Sequence, residues 1–374
     1  MKTRLFWIII TLLVFQIAVA VPRFSLENGA SCNLCHVNPT GGGMRNDYGT
    51  TIFALDELPR ITMESEPWDG VINEHLKIGG EFRIQSLIHE NAAGDIATPI
   101  FPMQADLTTL VTPTDNFSIY GNIRLSGGIL NEFWAMVSGL PNESWVRVGR
   151  ILPDYGLKLD DHTAFIRGGN IRQTHGLTAE GLFFAPTLLP TGIEAGTKIG
   201  NGIRLTGGIS NAFVRGVEPS YGFSESISDK AFSLKVTRLK SYFEFVHTMN
   251  AISLIRESNV TVAGISGGIS LNRITWHYEF DRVENGIQDT TISHAMYQEL
   301  SYSPAQGLTL IGRYEFFDPD LDYASEAIQR IVAGVEVFPR YGLQYIFQVR
   351  VTRTDNIPGG QPTPEFLCQL HYWF

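Results

Sequence analysis

Residues 364–374 read Pro-Glu-Phe-Leu-Cys-Gln-Leu-His-Tyr-Trp-Phe, and this stretch decides the fold. Apolar side chains occupy every second position, namely Phe366, Cys368, Leu370, Tyr372 and Phe374. A period of two predicts a β-strand with one apolar face. The predicted strand also stops on an aromatic residue, so its final side chain belongs to the apolar face.

Other segments of the chain alternate in the same way and carry their charged residues on one face. Residues 344–352 set Tyr345, Phe347 and Val349 against Gln348 and Arg350. Similar segments begin near residues 81, 119, 276 and 308. The pattern indicates an all-β protein, but a soluble sandwich shows the same alternation. The connections between the strands must therefore decide the environment.

The connections alternate between tight turns and long polar loops. The tight ones are near residues 112–115, 200–202, 303–306 and 339–342, and the long ones near 90–99, 211–228, 283–291, 318–327 and 355–362. Short turns at one end and long loops at the other are typical of outer-membrane barrels. Counting back from Phe374 predicts sixteen antiparallel strands over residues 75–374, which begin near residues 363, 341, 328, 307, 292, 271, 258, 242, 229, 203, 193, 144, 132, 116, 100 and 75. Fourteen is the alternative, because residues 127–138 carry the weakest pattern.

The first twenty residues have the composition of an export signal. Lys2 and Arg4 precede an apolar run that ends at Ala18-Val19-Ala20. We interpret residues 1–20 as a cleaved signal peptide, with an uncleaved anchor helix as the alternative. After cleavage the chain has no further apolar run of this kind. Backbone amides in lipid have no water to bond, so such a chain can span a membrane only as a closed β-barrel. The sequence predicts this barrel in the bacterial outer membrane.

The charge balance excludes some classes of partner. The chain has 374 residues, and 28 Lys+Arg against 38 Asp+Glu leave a formal net charge of -10. This acidic balance argues against a nucleic-acid partner and against a polybasic membrane-surface protein. A charged fraction of 18% with 37 glycines is typical of a packed, β-rich protein and not of a disordered one.

The motif Cys32-Asn33-Leu34-Cys35-His36 contains two of the three cysteines. Thiols at this spacing form thioethers with the vinyl groups of a c-type haem, and the adjoining histidine ligates the iron. A thioredoxin-like redox pair expects a βαβ pattern, and a zinc site expects a second pair of ligands. The sequence supplies neither, and a simple disulfide is a further alternative. We therefore predict one covalent haem c, attached through Cys32 and Cys35, with His36 as its proximal axial ligand.

The ligand on the distal side of the haem iron is less determined. Met44 is the nearest soft donor and follows three glycines, residues 41–43, which let the backbone run close to a flat ligand. Packing of Met44 on the porphyrin or in a turn is one alternative. Ligation by His162, Met63 or His75, and a five-coordinate iron, are the others.

Two inserts can fill the lumen of the predicted barrel. Residues 21–74 form the monohaem segment, which is too short to bury a core without the haem and another surface. A sixteen-stranded barrel has a lumen wider than its own side chains fill. The long loop of residues 152–192 either folds inward or is an ordinary outer loop. If it folds inward, we expect Asp160, Asp161 and His162 to meet cations or the haem.

The combination of an export signal, one CNLCH motif and a barrel ending in Phe resembles the fused monohaem cytochrome–porins of iron(II)-oxidising bacteria. At residue level the likeness rests on residues 24–29, Cys32, Cys35, His36, Pro39 and Gly49. It implies that Cys32 and Cys35 carry the haem thioethers, that His36 is the proximal ligand and that the haem segment sits within the barrel. The stretch Gly41-Gly42-Gly43-Met44 differs from the sequence of the iron oxidases at this place. The resemblance therefore does not imply which electron donor the protein uses.

The predicted function is electron transfer through the outer membrane. An electron cannot cross about 30 Å of hydrocarbon in a single tunnelling step. A haem inside a barrel shortens the distance that the electron must cross in one step. We expect an extracellular electron donor, with ferrous iron as a candidate because the chain is acidic, and a periplasmic carrier such as a soluble cytochrome. The protein would then be an oxidase of that donor or part of a respiratory chain. The other hypotheses are a diffusion porin with a haem-bearing plug or sensor, and a barrel partner of separate multihaem cytochromes.

Overall fold

The structure is a computed structural model that describes most of the chain. The described residues are 23–61, 68–90, 94–125, 129–159, 161, 163–169, 181–182, 189–212, 229–286, 291–323, 327–354 and 362–374. The predicted signal peptide, residues 1–20, and the candidate residues Met63, Asp160 and His162 lie outside the described residues.

Sixteen long antiparallel strands form one sheet that closes on itself. Each strand pairs with its neighbours in the sequence, and the last strand pairs with the first. The strands are β1 Leu76–Glu90, β2 Ile100–Thr114, β3 Phe117–Arg124, β4 Ile129–Leu140, β5 Ser144–Arg150, β6 Thr191–Ile199, β7 Ile203–Asn211, β8 Lys230–Phe243, β9 Val246–Glu257, β10 Val260–Leu271, β11 Ile274–Asn285, β12 Thr291–Ala305, β13 Leu308–Asp318, β14 Ile328–Arg340, β15 Leu343–Thr354 and β16 Thr363–Trp373. Two short strands, Val71–Asn73 and Ile96–Ala97, add to β1.

The prediction of sixteen barrel strands is confirmed, and the alternative of fourteen is wrong. The starts predicted at residues 363, 328, 203, 144 and 100 are the observed starts of β16, β14, β7, β5 and β2. Within the segment of weakest pattern, residues 127–138, the described residues 129–138 belong to strand β4. The largest deviation is at β9, which was expected from residue 242 and begins at Val246, because the preceding strand β8 extends to Phe243.

The outer face of the barrel is apolar and its inner face is polar. On β15 the side chains of Phe347 and Val349 are exposed, whereas Gln348 and Arg350, which alternate with them, are buried. On β1, Arg83 is only 5% exposed. Water would favour the opposite distribution, so exposed apolar rings beside buried charges indicate that the outer face contacts lipid.

The two ends of the barrel differ in their connections. At the end where the chain terminates, which we call the turn end, residues 115–116, 244–245 and 341–342 form tight turns. The opposite end, the loop end, carries long connections such as residues 151–190 and 212–229. Bacterial outer-membrane barrels keep their short turns in the periplasm. The turn end is therefore the periplasmic side.

Residues 23–61 lie inside the barrel at the turn end. They form the short helix α1 Arg23–Glu27, a 3₁₀ turn Cys32–Leu34 and a π-helix Gly49–Glu57. Leu26 of α1 is buried in a cluster with side chains of the barrel wall. The backbone N–H of Arg60 donates to the Phe338 carbonyl at 2.8 Å. Among the described residues no helix has the length and apolar composition needed to cross a bilayer.

Part of the loop between β5 and β6 packs against the inner wall. The Lys235 ammonium donates to Asp154 at 2.8 Å, and the Arg313 guanidinium donates to Asp161 at 2.7 Å. Phe165 is fully buried among wall residues. The contacts involve residues 151–159, 161 and 163–169, which the structure describes within this loop. This stretch and residues 23–61 both occupy the lumen.

Arg147 of β5 connects both inserts to the barrel wall. Its guanidinium donates to Glu194 of the neighbouring strand at 2.6 Å and to Asn38 at 2.7 Å. It also donates to Thr40 at 3.2 Å and to the Leu152 carbonyl at 3.4 Å. The side chain is 0% exposed. A single buried cation thus holds residues 38–40, the loop and strand β6 together.

We expect R147M to destabilise the protein by about 3–5 kcal/mol, because it leaves the buried Glu194 carboxylate without its cation. The measurement is unfolding by urea in detergent micelles. R204M is the matched control, since Arg204 forms its 2.7 Å ion pair with Glu143 at an exposed position. Removal of an exposed pair costs about 1 kcal/mol or less. Equal losses for the two variants would contradict the role given to Arg147.

Candidate haem-binding site

The CNLCH motif forms one helical turn. The backbone N–H of Cys35 donates to the Cys32 carbonyl at 3.2 Å, and that of His36 donates to the same oxygen at 3.0 Å. Residues three and four positions apart lie on the same face of a helical turn. The structure therefore brings Cys32, Cys35 and His36, the three residues predicted from the sequence, to one surface. All three border a single cavity.

This cavity lies between the segment of residues 23–61 and the barrel wall. Its volume is about 320 Å³, within the range of about 300–1,000 Å³ found for pockets that hold ligands and cofactors. Residues of the β5–β6 loop, including Leu159, close one side. Strands β1, β2 and β11–β16 supply the other walls. The cavity is thus formed by three parts of the chain that are distant in sequence.

The imidazole of His36 is held by the backbone. Its Nδ1 atom lies 3.2 Å from the Gly43 carbonyl oxygen. A carbonyl oxygen only accepts, so Nδ1 carries the proton and Nε2 keeps the lone pair that a metal ion requires. Histidine ligands of metals are commonly fixed through their other ring nitrogen in this way. The tautomer of His36 suits axial ligation.

Two glycines keep the backbone close to the motif. Gly41 has a φ of +88°, and a Cβ atom there would lie 3.0 Å from Cys32 Sγ. A Cβ atom on Gly49 would overlap the Cys35 carbonyl oxygen. Gly41 also borders the cavity, as do Gly42 and Gly43. This agrees with the expectation that the glycine run lets the backbone approach a flat ligand closely.

We expect G49A to lower the yield of haem-bearing protein severalfold, because the added methyl group displaces the Cys35 carbonyl and distorts the motif turn. The measurement is haem absorbance per unit of purified barrel. G312A is the matched control, since a Cβ atom on Gly312 meets no atom within 4 Å. A haem yield for G49A equal to that of G312A would show that the turn tolerates the methyl group.

The two motif thiols do not have the electrostatics of a redox pair. Burial raises the pKa of Cys32 to about 11, and burial also raises the pKa of Cys35. Reactive cysteines in redox pairs have lowered pKa values, roughly 3.5–7.5. None of the three cysteines forms a disulfide in the structure. The redox-pair alternative is therefore not supported by the environment of these thiols.

Met44 and His75 are not brought to the cavity. His36 and Arg45 form an antiparallel bridge, so Met44, next to Arg45, points to the opposite side from His36. The Met44 side chain is buried beside Tyr120 and Trp134. His75 is exposed at the turn end, where Nδ1 lies 2.9 Å from the Thr112 carbonyl oxygen. The geometry does not support either residue as the distal ligand.

The barrel wall brings further side chains to the cavity that sequence reasoning did not identify. They include Met103 of β2, His277 of β11 and His371 of β16. The alternation of polar and apolar residues places the two histidines on inward faces. Local sequence does not show that the two histidines lie at the same level along the barrel axis. That level depends on the register of every strand pair between β11 and β16. Asp161 of the loop, which was expected to face inward, also borders the cavity.

Comparisons with known proteins show the fold. No protein-family model matches the chain, and no curated protein matches it. OprB of Pseudomonas putida is similar with a TM-score of 0.60 at 8% identity, over 80% of this chain and 94% of that chain. An anion-selective porin from Comamonas acidovorans has a TM-score of 0.55 at 12% identity, over 80% and 99%. OmpF of Salmonella typhi in complex with daunomycin has a TM-score of 0.54 at 9% identity, over 80% and 97%.

The fold and its outer face define a porin-like barrel of the bacterial outer membrane. The predicted location is thereby confirmed. At identities this low the likeness concerns the fold alone. Within this class, the chain carries a segment with the CNLCH turn inside its own lumen. The resemblance to fused monohaem cytochrome–porins stays a prediction from the sequence.

Proposed function

We propose that the protein binds one covalent haem c inside its barrel and transfers electrons between the two sides of the outer membrane. The observation that carries this proposal is the placement of Cys32, Cys35 and His36 on one face of a turn that borders a cofactor-sized cavity. Haem bound there would supply one-electron redox chemistry. Cys32 and Cys35 would hold it covalently, and His36 would be its proximal axial ligand.

The chain's own residues would orient the cofactor and isolate it from lipid. The Gly43 carbonyl fixes the His36 ring, and the glycines of residues 41–43 permit close approach of the backbone. The barrel wall and the β5–β6 loop surround the cavity with polar groups. Buried polar surroundings of this kind determine the reduction potential of a haem. The distal ligand remains open among the side chains that border the cavity.

The position of the motif supports exchange with a periplasmic carrier such as a soluble cytochrome. Asn33 is exposed, and with Leu34 it lies in a surface groove that also includes Glu143 and Asn201 of two turns. That groove is at the turn end, which faces the periplasm. A carrier docked there would lie next to the motif turn. An extracellular donor, with ferrous iron as the candidate that suits an acidic chain, would approach from the loop end.

The test is a haem stain and a visible spectrum of the protein purified from outer-membrane fractions. We expect a stained band that survives denaturation, because thioether bonds are covalent, and a reduced spectrum typical of haem c. An unstained, colourless barrel would overturn the proposal. Reduction of the stained protein by ferrous iron, compared with organic reductants, would then identify the donor.

The fold likeness favours a second candidate function. The similar structures include an anion-selective porin, so this chain would be a diffusion porin whose haem segment serves as a plug or sensor. Solute flux separates the two functions. A diffusion porin passes small solutes through the wild-type protein, whereas an electron conduit needs no open water path.

A further inference from the structure

Charged side chains of both signs border the cavity beside the motif. Its cationic side chains among the described residues are Arg23, Arg45, Arg83, Lys158, Arg313 and Arg350. The carboxylates among the same residues are Glu81, Asp161, Glu299 and Glu336. Two further carboxylates pair with these cations from outside the lining, since Glu27 lies 3.8 Å from Arg23 and Glu315 lies 3.5 Å from Arg313. The cavity is therefore bordered by ion pairs and not by charge of one sign.

Each of the four carboxylates already has an arginine close to it. Glu336 pairs with Arg23 at 2.6 Å, and Glu299 pairs with Arg313 at 2.9 Å. In the same way, Glu81 lies 3.6 Å from Arg83, and Asp161 lies 2.7 Å from Arg313. The carboxylates that border the cavity are therefore already paired. A cation at this cavity whose donors are not all paired needs a further acceptor, because buried charge is costly without a counter-charge.

Arg350 of β15 borders the cavity and has a donor without a partner. Its side chain is 2% exposed. Nε donates to Gln348 at 2.9 Å, and Nη2 lies 3.6 Å from Asp161. Nη1 is buried and has no hydrogen-bond partner among the residues that the structure describes. An unsatisfied buried donor costs roughly 1–3 kcal/mol, and more when it is charged, so a further acceptor is expected there.

Asp161 does not supply the missing acceptor of Arg350. Its Oδ2 atom accepts from Arg313 at 2.7 Å and lies 3.6 Å from Arg350 Nη2, which is beyond hydrogen-bond distance. The Nη1 atom of Arg350 therefore still needs an acceptor.

We infer that the cavity binds the two propionate carboxylates of the haem, and that Arg350 receives one of them through Nη1. The inference rests on the proposed function, because propionates are present only if the haem is. A haem c carries two such groups, and either one can supply the acceptor that Nη1 lacks. The arginine fork suits a carboxylate, since two parallel N–H groups bind its two oxygens. Arg350 would thus be a positioning residue that acts on the cofactor away from the iron.

The test compares R350Q with wild-type protein that has first been shown to contain haem. We expect R350Q to retain the covalent haem but to shift the propionate bending band in its resonance Raman spectrum. Loss of a positive charge favours the oxidised iron, so the ratio of reduced to oxidised haem at a fixed potential should fall about tenfold. This corresponds to about 59 mV for a one-electron couple. R330Q is the matched control, because Arg330 is a buried arginine of the adjacent strand that does not border the cavity.

The outcomes separate the inference from the function on which it rests. A wild-type protein without haem overturns the proposed function itself. A haem-bearing R350Q with an unchanged propionate band overturns the inference alone, as does an equal shift in R330Q. If R350Q does not reach the membrane, R350K is measured instead. It keeps the charge but loses the fork, so we expect its propionate band to shift while its potential stays near the wild-type value, and an unchanged band overturns the inference.

Discussion

Substituting both motif cysteines, as C32A together with C35A, should abolish haem staining of the outer-membrane band completely. The expected effect is all or none, because no other described side chain near the cavity offers a thiol. The barrel itself should still insert, since neither cysteine belongs to a barrel strand. Staining after denaturing electrophoresis measures the covalent haem. The heat-dependent migration of the same band measures barrel folding.

Cys368 provides the matched control for this experiment. It belongs to β16, on the face that also carries the exposed side chains of Phe366 and Tyr372. This face contacts lipid and does not border the cavity, so C368A should stain as strongly as the wild type. If the double variant still stains, the haem is held elsewhere and the motif has another role. If C368A loses the stain as well, the loss reflects a folding defect and not the chemistry of the motif.

Deleting residues 23–61 while retaining the export signal should raise single-channel conductance by about an order of magnitude. Sixteen-stranded barrels with an unfilled lumen conduct water and solutes. In this protein the segment packs against the inner wall through Leu26 and Arg60. Removing it exposes the polar groups that now bond to it, and water replaces the lost contacts. Planar-bilayer recordings and liposome swelling measure the change.

H36A is the control for the deletion. It leaves the polypeptide in the lumen and the thioether bonds in place, so its conductance should equal that of the wild type. A high wild-type conductance that the deletion does not alter would contradict the filled lumen. It would also favour the diffusion porin over the electron conduit.

Much of the barrel follows from local sequence. Alternation of the kind seen at Tyr345, Phe347 and Val349 gives a strand and assigns its faces without reference to any partner. The strand count depends on such patterns and on short turns, both of which are local. The motif turn is local too, because Cys32 and His36 are separated by only four positions. These are the features that the sequence predicted and the structure contains.

The contents and charge of the lumen do not follow from local sequence. Arg147 bonds to Asn38, which is 109 positions away, and Arg313 bonds to Asp161, which is 152 positions away. These contacts depend on the level along the barrel axis at which residues 23–61 and the β5–β6 loop pack. The register of every strand pair contributes to that level. The placement of Met44 depends on a contact within its own segment. The bridge between His36 and Arg45 turns it to the other side of the segment, which spacing along the chain does not reveal.

The pairing of the first and last strands has a consequence for the timing of assembly. Cys32 and Cys35 precede every barrel strand along the chain, whereas the seam between β1 and β16 can close only after β16 has been delivered. Under the proposed function, the thiols would thus be accessible to haem-attachment enzymes before the barrel closes. Once the cylinder is sealed, residues 23–61 lie within it, so we expect cofactor loading to precede insertion into the bilayer.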